Sequence, residues 1–280
     1  MNNVFNLKRF GKYFVYDLNN AWNNYGISAL VIALLPLIML IFNVVFGLVF
    51  NGDATPLLLP MKVTLFLVVF AVVILSAPTK LYGRLTERRA GSDWLMVPAS
   101  SFEKFLSMAL MLCVVLPVSV FGLFALCDLL LGWIVPVYGG SMVKEIATNF
   151  PSVADMAMTI NGVSASGFTK GGLIAIAFLT WCASILPFGL GAVCFKKGKA
   201  AKTILCIFAL EIILSILLVV VFKAGFSNGF DFEQMMSRVM ENATSGKAQF
   251  WSNFLLNLKY LIVVGGLLAA LFFRVRTIKH

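Results

Sequence analysis

Six apolar runs, each long enough to cross a bilayer, constrain this chain more than any other feature. They cover residues 27–50, 57–77, 101–137, 171–195, 203–222 and 254–273. A hydrocarbon core of about 30 Å takes about 20 helical residues. Inside it every backbone N–H and C=O must bond within its own segment. The predicted fold class is therefore an all-α membrane protein: six transmembrane helices preceded by an N-terminal amphipathic interfacial helix. Only 12% of the residues are charged, about half the usual ~25% of a soluble domain. Little polar sequence is left for a second domain, so residues 1–280 read as one transmembrane domain.

Residues 4–25 carry Val4, Leu7, Phe10, Phe14, Leu18, Ala21, Trp22 and Tyr25 at three- and four-residue steps, with Lys8, Arg9, Lys12 and Asp17 between them. This pattern suits a helix in the headgroup plane, or one packed on other protein. The first apolar run follows at Ile27. It is too long for a signal-peptide core and reads as a retained span. Pro36, Asn43, Pro78, Pro117 and Pro187 interrupt the runs, with bends expected at Pro78 and Pro117. Lys62 sits near the start of the second run, where its stem reaches toward the interface. Gly189 with Gly191, and Gly265 and Gly266 with Ala269 and Ala270, offer small-residue surfaces for close helix contact.

Charge orients the bundle. Of the 22 Lys and Arg residues, 15 fall in the alternate segments 1–26, 79–104, 196–202 and 274–280. The richer side is the cytoplasmic one, so both termini are expected there, in a multi-pass protein of the cell's inner (plasma) membrane. A net charge of +10 then serves orientation and anionic headgroups, and nucleic acid is not an expected partner; membrane lipid is.

No catalytic, cofactor-binding or metal site is expected. The single histidine is His280 and the five cysteines show no paired spacing, which argues against a zinc site, a disulfide framework and imidazole catalysis. Gly198-Lys199-Ala200 lacks the upstream glycine and the hydroxyl residue of a phosphate-cradling loop. Two acids remain inside apolar runs, Asp128 and Glu211. An ionisable group in a span is a functional candidate by default, yet polar side chains also join helices, and both readings stay open for Glu211. Asp128, far along the third run, is expected at or past the outer membrane interface.

The cytoplasmic segment 79–104 is longer than a simple connection needs. It holds Arg84, Glu87, Arg88, Arg89, Asp93 and Trp94, which read either as a solvated basic loop or as a docking platform for a partner. Ser100 and Glu103 form a predicted capping box that starts the third span. A second amphipathic helix is expected at 231–241, within the outer loop 223–253.

This order of elements resembles the membrane subunit of type-2 ABC exporters. The stretch Trp94-Leu95-Met96-Val97-Pro98-Ala99-Ser100-Ser101-Phe102-Glu103-Lys104-Phe105 is similar to an LPAS-x-x-EKF pattern of small permease-like proteins of Bacteroidota, with Val97 where that pattern has Leu. The resemblance implies a non-catalytic permease. Its 79–100 segment would couple to a separate cytoplasmic ATPase subunit, and a second permease chain, identical or similar, would complete the pathway. The other readings are an ion-coupled carrier or channel that uses Glu211, and a membrane scaffold without transport.

Overall fold

In the computed structural model, residues 5–50, 52–53, 56–86, 94, 96–148, 170–227 and 246–277 are described, with side chains at 175–217, 219–220 and 257–277 in the last two stretches. Helices make up most of the described residues, and among these there is no strand. Among the described residues six helices are long and apolar enough to cross a membrane, and the chain is an all-α membrane protein.

The first span is built from α1 (Leu7–Ala33) and α2 (Leu35–Phe50). The boundary expected near residues 25–27 carries no helix end. The interruption comes at Leu34, two residues before Pro36, which has no N–H to offer the Ile32 carbonyl. The stretch Leu7–Phe50, with Leu34 between the two helices, is 44 residues long, about 66 Å at 1.5 Å per residue. Asn43 lies in α2, and its Oδ1 has no hydrogen-bond partner among the described residues.

The second span, α3 (Leu59–Tyr82), continues through Pro78 and ends in a 3-10 turn, Gly83–Thr86. The expected bend at Pro78 is not a helix end. Leu81, Tyr82 and Leu85 beyond it are buried, and that burial outweighs one lost backbone bond. The third span opens at α4 (Ser101–Leu110) with the predicted capping box: Ser100 Oγ accepts from Glu103 N, and Ser100 N donates to Glu103 Oε2 at 2.8 Å. Residues Met111–Val115 form a π-helical turn before α5 (Leu116–Ile134). Pro117 has no N–H to offer the Leu112 carbonyl. The indole Nε1 of Trp181 donates to that carbonyl instead, at 3.1 Å, so the backbone is satisfied inside the protein. A short α6 (Met142–Thr148) follows.

The remaining spans are α7 (Lys170–Cys194), α8 (Lys199–Ser227) and α9 (Gly246–Thr277). α7 is the centre of the bundle and packs against α9, α3 and α8; its Trp181, Cys182, Ile185 and Leu186 are buried. Gly189 and Gly191 serve close contact as expected. A Cβ at Gly191 would run into Thr203 of α8, and one at Gly189 would lie 2.7 Å from a Leu112 methyl. Gly265 and Gly266 do not, since each faces open space. The helix expected at 231–241 lies outside the described residues.

Direct contacts bring the four Lys/Arg-rich segments to one end of the bundle. Arg9 pairs with Glu103. Lys199 Nζ donates to the Gly83 carbonyl, and Thr86 Oγ1 donates to the Phe195 carbonyl at 3.2 Å. The ring of Phe272, beside Arg274, meets Phe102 and Phe105.

Gly191→Ala is expected to lower the unfolding temperature of the detergent-solubilised protein, because α8 must move off α7. Adding Thr203→Gly should restore part of the loss, and thermal unfolding of the single and double variants checks it.

Candidate partner-docking site

Two buried polar clusters mark the bundle's ends. At the basic end, Asp17 Oδ2 accepts from Tyr82 Oη at 3.0 Å and from Ser107 Oγ at 2.6 Å. At the other end, Asp128 Oδ1 accepts from Tyr138 Oη at 2.6 Å, and its Oδ2 accepts from Val143 N at 3.0 Å. Lys62 lies there too, 3% exposed. Its ammonium donates to the Gly140 carbonyl at 2.6 Å and sits 4.1 Å from the centre of the Tyr138 ring. Lys62 is thus held inside the protein rather than extended to the interface. Tyr82 and Lys62 are 20 residues apart on α3, which is about 30 Å. Ser107 and Asp128 are similarly spaced on the third span. That separation matches the thickness of a hydrocarbon core.

Asp128, a candidate from the sequence, is 1% exposed and fully engaged in holding α6 and the 136–138 turn onto α5. Glu211 is different. It lies on α8, about 18 Å along the helix from Lys199, and is exposed. No described residue bonds its carboxyl, while its backbone carbonyl accepts from Ser215 Oγ. α8 itself is thinly covered: 6% of its most apolar stretch is buried, against 50% for α7.

Beyond Asp17 the basic end carries a second polar assembly. The Glu103 carboxylate, fully buried, takes a forked contact from Arg9, with Nε to Oε2 at 2.8 Å and a terminal guanidinium nitrogen to Oε1 at 2.8 Å. Asn6 N also donates to it at 3.0 Å. Lys104, the next residue, donates to the Trp94 carbonyl at 2.7 Å and sits 4.5 Å from the centre of the Trp94 ring. The Trp94 indole donates to Tyr13 Oη at 3.0 Å. One fork and one stacked cation therefore tie α1, Trp94 and the start of the third span into one piece.

The segment that the sequence marks for docking is anchored at both of its described ends. Its entry, the 83–86 turn, is held by Lys199 and Phe195 of the 194–199 connection. Its exit, Trp94, is held by Tyr13 and Lys104. Arg84 stays exposed on the entry turn. Glu87, Arg88, Arg89 and Asp93 lie outside the described residues. Sequence reasoning placed Glu103 only as a cap and missed its pairing with Arg9, which joins residues 94 positions apart. The structure also buries Asp17, which the amphipathic pattern sets between the apolar positions of residues 4–25, and Lys104.

Among the described residues no group of His, Cys, Asp and Glu is arranged to hold a metal ion.

Arg9→Ala leaves the Glu103 carboxylate buried without its cation, and a loss of stability is expected. Arg9→Gln with Glu103→Gln should cost less than Arg9→Ala alone. Chemical or thermal unfolding of the three proteins in one detergent measures the difference.

Compared with protein-family models, with curated proteins and with solved structures, the chain matches none.

Proposed function

We propose that this chain is the non-catalytic membrane permease subunit of an ABC-type exporter in a bacterial inner membrane, coupled through residues 79–104 to a separate cytoplasmic ATPase. The observation that carries this reading is the double anchoring of that segment. A push on residues 87–93 by a docked ATPase is passed at Trp94 to Tyr13 of α1 and Lys104 of α4, and at Gly83 and Thr86 to the turn that starts α8. Three spans then move together, as mechanical coupling between a nucleotide cycle and a membrane path requires. Polar anchors suit this role because each is directional and has a discrete broken state.

The thin cover of α8 fits the same reading. An acid at hydrocarbon depth costs about 2.5–3.5 kcal/mol when it faces lipid. A second permease chain, identical or similar, laid along α8 relieves that cost by bonding Glu211. The exposed Glu211 also supports a second reading, an ion-coupled carrier or channel in which this carboxyl is the ion site. The two part on energy source. Under the first, flux in proteoliposomes needs the ATPase and ATP. Under the second it proceeds without either and is lost in Glu211→Gln.

Affinity purification from native membranes should yield a complex that hydrolyses ATP. The charge reversals Arg88→Glu and Arg89→Glu should release the ATPase while leaving the unfolding temperature of the membrane subunit unchanged. Trp94→Phe should keep the ATPase bound and reduce transport per ATP hydrolysed. A complex that never contains an ATPase, however gently solubilised, rules the reading out.

A further inference from the structure

A groove of about 720 Å³ runs along the outside of α1, where it passes the π-helical turn and α5, with Leu81 of α3 at its floor. Sites for small molecules occupy about 300–1,000 Å³. The two ends of the groove differ. One carries Lys12, Tyr16, Asn19 and Trp22; the other is walled by Ala29, Val115 and Leu123. Ser119 lies in the apolar half, but its hydroxyl donates back to the Leu116 carbonyl at 3.1 Å and offers little polarity to a ligand.

Depth in the membrane frame identifies the ligand class. If the two buried polar clusters mark the edges of the hydrocarbon, Asp17 lies at one of them. Lys12 lies five residues outside it and Ala29 twelve residues inside, which is about 8 Å and about 18 Å along the helix. A headgroup layer is about 5–8 Å thick and one leaflet of hydrocarbon about 15 Å. The groove therefore has the polar length of a headgroup and the apolar length of an acyl chain, in that order. Among the described residues the Lys12 ammonium has no hydrogen-bond or ion-pair partner. Lys8, one turn earlier on α1, adds a second positive charge at the same end.

We infer that this groove is a binding site for one anionic phospholipid of the leaflet at the basic end of the bundle. The phosphate meets Lys12, the amide of Asn19 and the hydroxyl of Tyr16 serve the glycerol region, and an acyl chain fills the slot between Ala29 and Leu123. A zwitterionic lipid fills the apolar half equally well but brings no net charge to Lys12. The site does not depend on the protein being an exporter.

The test uses the full-length protein in mild detergent, with phosphatidylglycerol and phosphatidylcholine of equal chain length, read by native mass spectrometry and thermal unfolding. One phosphatidylglycerol is expected to be retained in preference to phosphatidylcholine, and to raise the unfolding temperature more. Lys12→Gln should lower that preference about five-fold, the factor that one basic side chain near an anionic headgroup supplies. Ser119→Trp fills the groove from an exposed position. It should reduce retention of both lipids without changing the unfolding temperature of the lipid-free protein. Leu205→Trp, on the exposed surface of α8, should behave as the native chain. Equal retention of the two lipids by the native protein, or undiminished retention by Ser119→Trp, overturns the assignment. Protection by glycerol 3-phosphate alone that matches the lipid's also overturns it, in favour of a soluble phosphate ligand.

Discussion

Polar groups buried at two levels about 30 Å apart hold this bundle in register, and the bilayer is the reason they matter. Lipid tails are as apolar as leucine, so greasy surfaces gain little by leaving lipid for protein. A carboxylate or an ammonium has no such indifference, because every alternative to a partner is a cost. Asp17 draws Tyr82 and Ser107 onto α1, and Asp128 draws Tyr138 and the Val143 amide onto α5. These two carboxylates join α1 to the second and third spans at one edge of the hydrocarbon and tie the 136–143 stretch to α5 at the other.

The same physics explains where sequence patterning misleads. On α1 the periodic apolar stripe is split: Leu7, Leu18 and Trp22 are exposed, Phe14 and Ala21 pack on the core and Tyr25 is buried, as are Tyr13 and Asp17 off the stripe. In water the whole stripe would face the core. In a membrane apolar residues can face lipid, and Tyr13, Asp17 and Tyr25 find hydrogen-bond partners within the protein. Lys62 follows the same logic. Its stem has length enough to reach the interface, yet a carbonyl and an aromatic ring within the fold give the ammonium a closer partner.

The local signals were legible because they act over a few residues. Ser100 and Glu103 cap a helix by bonds three residues apart, and Pro117 announces the disturbance that becomes the π-helical turn. Both acids inside apolar runs were visible as well. What was not visible is which of them is already used. Asp128 is closed off by Tyr138 and Val143, while Glu211 stands open on a helix with little cover. The candidate docking segment shows the same division. Its charges stand out in the chain, but its anchoring at Tyr13 and Phe195 depends on residues about 80 and 110 positions away.

The sequence by itself determined that this chain carries six helices long and apolar enough to cross a membrane among its described residues, and which basic segments alternate between them. Hydrocarbon thickness sets the length of each run, and the Lys/Arg bias sets the alternation; neither needs knowledge of any neighbour. Only the tertiary structure decided which helix face meets protein, which charges are paired and where the groove beside Lys12 lies. Those outcomes depend on distances between residues far apart in the chain, and no periodicity within a single run encodes them.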